Sequence, residues 1–159
     1  MHGGSYMVTR RIRMLLEVWD RSALEDQEQT IGRHKYSGAP LGESSELEPL
    51  DLAAEQGGQP TIPVDAHVRL ASASVNGGER ILRRGYSFTD GVDESLGELE
   101  AGLFFICFQR DPQRQFVPIQ RRLGSNDALN EYIKHVGSAI FAVPPGGREG
   151  GYVGETLLG

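Results

Sequence analysis

The chain has 159 residues, 38% hydrophobic and 24% charged, with a formal net charge of −6 at pH 7. That is the size and balance of one soluble globular domain with a real core, and its acidity argues against a nucleic-acid partner, whose phosphates select a basic face. One cysteine, Cys107, excludes an intrachain disulfide and any multi-cysteine zinc or iron–sulfur site, and no stretch approaches the ~18–20 apolar residues of a membrane span.

In chain order, His2-Gly3-Gly4-Ser5 has neither the basic region nor the apolar core of a signal peptide. Residues 6–14 alternate and predict a strand. Residues 15–32 read as helical, with Leu15, Leu16, Trp19 and Leu24 on one side. Ser22-Ala-Leu-Glu25 has capping-box spacing, so this helix starts or restarts there, and Gly32 is its stop. Residues 34–63 are rich in Gly, Pro, Ser and acids, which predicts a long irregular loop, functional or disordered.

Residues 84–89 and 101–109 read as two strands joined by an acidic, glycine-bearing turn. Cys107, inside Leu103–Phe108, is expected to be a buried structural thiol. Phe116, Ile119 and Leu123 sit at helical spacing. A further helix is expected from Asp127 to Val136, capped by Ser125 or Asn126. A last strand, 138–143, ends at Pro144-Pro145-Gly146-Gly147. The order is that of an α+β, ferredoxin-like βαββαβ domain, an antiparallel sheet with helices on one face.

Among the histidines, His2, His34 and His135 have surface contexts. His67 differs, because it ends the irregular loop and precedes a polar turn leading to an arginine pair. A haem iron is commonly held by one axial histidine whose ring is oriented by a carboxylate, and a peroxidase needs a cation opposite it. His67, Arg83–Arg84 and Asp111 supply those residue types, although the same trio occurs in proteins with no cofactor. The clusters Arg10–Arg13, Arg83–Arg84 and Arg121–Arg122 suit small anions such as propionates or, equally, solvated faces.

A series of ordered motifs points further. It runs from Gly3-Gly-Ser-Tyr and Arg10-Arg-Ile-Arg-Met through Glu17-Val-Trp-Asp-Arg, Gln27-Glu-Gln-Thr-Ile-Gly-Arg33 and Lys35-Tyr-Ser-Gly-Ala-Pro-Leu-Gly42. It continues with Asp65-Ala-His-Val-Arg-Leu-Ala71, Ile81-Leu-Arg-Arg-Gly-Tyr-Ser-Phe88, Gly102-Leu-Phe-Phe-Ile-Cys-Phe-Gln-Arg-Asp111 and Tyr152 to Leu158. Over essentially the whole chain this series resembles the C-terminal, haem-binding domain of DyP-type (dye-decolorising) peroxidases, closest to a subgroup that includes Tat-exported, iron-regulated enzymes. Relatives are exported or cytoplasmic, so the resemblance fixes no compartment.

The resemblance implies haem b with His67 as proximal iron ligand, Val68 standing where relatives carry isoleucine. It implies Arg83 as the distal arginine and Asp111 as the carboxylate on His67. Phe105, in the Gly-Leu-Phe-Phe strand, would line the cofactor. Arg33 would meet a propionate or make a loop salt bridge, the two readings being even. Ser72-Ala73-Ser74 replaces the family's Asn-Pro-Arg near the haem edge, which puts contacts from Ser72 and Ser74 in doubt.

The family's Gly-x-x-Asp-Gly signature, whose Asp moves the peroxide proton, belongs to a preceding domain and is not among these residues. Ser87-Phe-Thr-Asp-Gly91 is no substitute, since it lacks the first glycine and lies in a turn. The implied function is peroxide-driven oxidation of dyes or small aromatic reductants by a partial polypeptide. The alternative is a non-catalytic haem-binding or haem-iron-releasing module. Either way a half-sheet exposes an apolar face, which implies a homo-oligomer or a missing N-terminal half.

Overall fold

The computed structural model describes residues 3–155. His2, with the start of the signal-peptide reading, and residues 156–159 lie outside the described residues. In chain order the elements are β1 (Ser5–Met14), α1 (Leu16–Trp19), α2 (Leu24–Ile31), a small hairpin of β2 (Glu55–Gln56) and β3 (Gln59–Pro60), and α3 (His67–Ala71). β4 (Leu82–Asp93), β5 (Glu98–Gln109), α4 (Phe116–Asn126) and β6 (Ile133–Val143) follow.

The four long strands form one sheet in the order β4-β5-β1-β6, every neighbouring pair antiparallel. This is the predicted ferredoxin-like topology: β1 and β4 run the same way with β5 inserted between them, so each crossover passes over the sheet carrying helices. The register puts Arg83, Cys107, Val8 and Ile140 in one row on one face. Gly85, Phe105, Arg10 and Ser138 form the next row on that face. Phe116 of α4 docks here, closing a core of Val8, Cys107 and Phe116 with Ile81, Phe105 and Val117 around it. Cys107 is fully buried, as its apolar run predicts.

The opposite face carries a row made by Leu82, Phe108, Met7 and Phe141 and, beyond the row of Arg84, Ile106, Thr9 and Ala139, Tyr86 and Phe104. Leu82 is 73% and Phe104 41% exposed. No described element covers this stripe, which is the apolar face expected of a half-sheet.

β1 and β5 can sit close because residue 102 is glycine. A Cβ there would lie 2.0 Å from the Ile12 carbonyl oxygen and 3.0 Å from the Arg13 Cα.

Two sequence expectations are corrected. The helical stretch 15–32 does restart, as two helices, but Ser22 is not the cap of the second. Ala23 holds that position with no side-chain cap bond. The buried Gln27 amide donates instead to the carbonyls of Trp19 (2.7 Å) and Ser22 (3.3 Å), satisfying the broken end of α1 from inside α2.

The second correction concerns residues 127–136. α4 runs through Ser125 and Asn126, the expected caps, and a short 3-10 turn at Ala128–Glu131 leads straight into β6. Strand pairing wins there: Ile133 and Lys134 already sit opposite Met14 and Arg13 of β1.

The stretch 34–63 holds only the β2–β3 hairpin and is otherwise irregular, and it packs down onto the domain. Ala39, Pro40 and Ile62 are fully buried. Gly32 does stop α2, in the left-handed conformation at φ 86°. Among the described residues no helix is long and apolar enough to cross a membrane.

Candidate functional site

α3 is only five residues long, too short to be stable alone. It is fixed from outside. The Arg69 guanidinium donates to the Ile62 carbonyl at 2.7 and 3.0 Å and to the Leu52 carbonyl at 3.0 Å, tying the preceding loop to the helix. Buried Asn76 donates to the carbonyls of Leu70 (2.8 Å) and Ser72 (2.7 Å), which the helix end leaves unpaired. Gly32 permits α2 to close on α3, since a Cβ there would meet Val68 Cγ2 at 2.5 Å.

The first residue of this helix is His67. Its Nδ1 lies 2.6 Å from Asp127 Oδ2, the His67 side chain 27% and the Asp127 side chain 2% exposed. The other carboxylate oxygen, Oδ1, accepts from the Leu129 N–H at 2.9 Å. A carboxylate can only accept here, so the imidazole proton sits on Nδ1 and the Nε2 lone pair is free. That tautomer, held by a buried acid, is the one a metal-binding histidine requires.

This corrects the expectation that Asp111 is the partner of His67. Asp111 Oδ1 accepts instead from the backbone N–H groups of Gln113 (2.9 Å) and Arg114 (3.2 Å), shaping the turn into α4. Sequence reading missed Asp127 because it is sixty positions from His67 and was placed inside a helix. Its one local signal is that it heads a short helical turn, a position that favours Asp.

Arg83 stands on β4 opposite Cys107, on the face that carries the helices. It is exposed and makes no hydrogen bond or ion pair to the described residues. Gly85 follows in the next row, beside Phe105, whose ring centroid is 6.5 Å from that of Phe116. Ser72 and Ser74 are spent on their own turn: Ser72 Oγ donates to the Arg69 carbonyl at 2.8 Å, and the two hydroxyls are 2.9 Å apart. Arg33 makes no salt bridge to the described residues; its Nη1 donates to the carbonyls of Gly38 (2.6 Å) and Glu46 (3.1 Å), which leaves Nε and Nη2 for a carboxylate.

The sheet sorts charge by face. On β1, Arg11 pairs with Asp90 (2.5 Å) and Glu100 (2.8 Å), and Arg13 with Glu98 (2.9 Å) and Asp93 (3.8 Å), all on the face away from the helices. Arg10 points the other way. Its guanidinium lies 5.0 Å from the Phe116 ring centroid and 3.4 Å from His135 Nδ1, and its buried Nε–H has no acceptor. The ring offsets ~0.5–2 kcal/mol of what it costs to half-bury a cation that no carboxylate pairs. Burial and the Arg10 cation hold the His135 imidazole below its usual range.

Among the described residues, no group of three or more His, Cys, Asp or Glu could hold a bare metal ion. One well-oriented histidine suits a metal whose other ligands come with it, as in a macrocycle. A face carrying Arg10 and Arg83 unpaired suits an anionic one. The residues present therefore fit a haem.

Comparison with known proteins agrees. The family model described as Dyp-type peroxidase, C-terminal, matches residues 1–148. The chain belongs to the DyP-type peroxidase family. It is 50% identical over 160 residues to the dye-decolorizing peroxidase of Thermobifida fusca, covering 99% of this chain and 37% of that protein. It is 41% identical over 159 residues to the deferrochelatase of Escherichia coli K12, covering 98% and 37%. The crystal structure of a DyP-type peroxidase from Streptomyces coelicolor superposes with a TM-score of 0.93 at 47% identity, over 98% of this chain and 43% of that one. A DypB variant from Rhodococcus jostii, solved in complex with haem, superposes at 0.66 with 27% identity, over 89% of this chain and 41% of that one. The chain thus spans well under half the length of these DyP-family relatives.

Proposed function

We propose that the chain is the haem-binding half of a peroxidase that uses hydrogen peroxide to oxidise dyes and small aromatic reductants. The observation that carries this reading is His67 with its Nδ1 proton committed to buried Asp127. When bound, haem b supplies an iron centre that takes oxidising equivalents from peroxide and passes them on as single electrons.

The chain's own residues have distinct tasks. His67 Nε2 would hold the iron. Asp127, accepting at Nδ1, fixes the ring and raises its basicity. Arg83, unpaired on the sheet face, stabilises negative charge that develops on peroxide oxygen, a contribution worth ~10²–10³ in rate for a single donor. Phe105 supplies an apolar wall that keeps water out. An acid able to move the peroxide proton is not offered by Ser87–Gly91, which lies within β4 rather than in a turn, because Asp90 is bonded to Arg11 on the opposite face. That group belongs to a partner half, and the apolar row of Leu82, Phe108, Met7 and Phe141 is a surface such a half, or a second copy of the chain, would cover.

A second reading is a haem-binding or haem-iron-releasing module without peroxidase turnover. It is favoured by the 41% identical relative named a deferrochelatase and by the lack, among the described residues, of an acid paired with Arg83. The test is a hemin titration of the 159-residue chain with His67→Ala as control, followed by peroxide. A Soret band that needs His67, then bleaches or shifts with peroxide more slowly in Arg83→Gln, supports the peroxidase reading. A Soret band inert to peroxide favours the second. No His67-dependent band removes both.

A further inference from the structure

The sequence singles out Arg10–Arg13 as one basic cluster, but the strand divides it. Arg11 and Arg13 each hold two carboxylates on one face, and every strand acid among their partners lies there. On the helix-bearing face Arg10 has no carboxylate within ion-pair distance among the described residues, only the edge of His135 and the ring of Phe116. Its buried Nε–H has no acceptor, as is also true of Arg13, so what sets Arg10 apart is that no carboxylate among the described residues pairs with its guanidinium.

His135 is on this face for a structural reason. The register of β1 and β6 shifts between Arg11 and Ile12, so that Gly137 faces Arg11 while His135, not Val136, faces Ile12. Such a bulge re-aims side chains, and here it turns the imidazole toward Arg10. A half-buried arginine with no carboxylate partner, braced by an imidazole whose Nδ1 accepts from its Nη1, makes a receptor for an anion. Planar, bidentate recognition by guanidinium suits a carboxylate.

We propose that Arg10, flanked by His135, is a carboxylate-binding pole of the cofactor crevice, receiving a propionate of the porphyrin two strands away from Arg83. The inference rests on the haem-binding reading above. It adds Arg10 as an anchor beside Arg33, whose Nη1 is bonded to loop carbonyls.

The test compares hemin with hemin dimethyl ester, which keeps the iron and macrocycle but removes both carboxylate charges. Both are titrated into the wild-type 159-residue chain, Arg10→Met and Arg10→Lys, with far-UV circular dichroism as the fold control. The wild type is expected to prefer hemin, and Arg10→Met to lose about tenfold or more of that preference. Arg10→Lys should retain part of it. A preference unchanged in a folded Arg10→Met overturns the proposal while leaving haem binding intact. If neither porphyrin gives a His67-dependent Soret band in the wild type, the haem reading itself fails and this one with it.

A second measurement needs no substitution. The Arg10 Nε–H resonance of the wild type should shift with gallium protoporphyrin IX and not with its dimethyl ester. Equal shifts with both would overturn the assignment.

Discussion

Replacing Asp127 tests the pairing on which the site depends. The carboxylate side chain is 2% exposed and accepts from His67 Nδ1 at 2.6 Å and from the Leu129 N–H at 2.9 Å. Asp127→Ala removes a hydrogen bond to a charged group, ~1.5–3 kcal/mol, and the cap of the 3-10 turn, ~1 kcal/mol. The sum is ~2.5–4 kcal/mol, and for a domain of this size each kcal/mol lowers Tm by roughly 2–4 °C. A fall of roughly 5–16 °C is therefore expected by circular dichroism. Asp127→Asn keeps one oxygen, which can still accept from the Leu129 N–H while its NH2 faces His67 Nδ1, and should lose less than Asp127→Ala. Hemin affinity should fall in both variants, because the His67 ring loses its orienting anion. Asp111→Ala is the control, since its carboxylate serves only the turn into α4. A fall in hemin affinity in Asp111→Ala, with Asp127→Ala unchanged in both Tm and affinity, would refute the assignment.

Two further outcomes follow from the sheet. Gly102→Ala puts a Cβ 2.0 Å from the Ile12 carbonyl oxygen; since backbone cannot give way as a side chain can, a loss of ~3 kcal/mol or more is expected, read as a Tm drop or an insoluble chain. A variant as stable as wild type would show that β1 and β5 are not so closely apposed. Cys107, fully buried, has its thiol pushed up to about 11 by burial. From a reference value of 9.0 that means about a hundredfold less thiolate at neutral pH. Iodoacetamide should therefore leave the native chain unlabelled at pH 8 and label it after denaturation; rapid native labelling would contradict the burial.

Much of the fold is written locally. Strand alternation in 6–14 and 101–109, the stop at Gly32 and the apolar spacing of Phe116 and Ile119 each act through neighbours a few positions away, which is what a period of two or of 3.6 can report. Residues 127–136 failed because their competing partner, β1, is over a hundred positions distant. Ser22 failed because its hydroxyl turns back to the Val18 carbonyl at the end of α1, and Ala23 takes the cap position of α2.

The candidate site divides along the same line. By itself the sequence determined that His67 stands at the end of a long loop, and that an arginine pair opens the strand after it. The family motifs named both, and the belonging they implied holds over residues 1–148. Only tertiary structure could decide that Asp127 rather than Asp111 meets His67, because a carboxylate's partner is set by where α4 ends in space and not by its spacing in the chain. The same holds for Arg10. Alternation says that adjacent arginines face opposite ways, but the sheet alone reveals which face already holds the acids, and so which cation still lacks one.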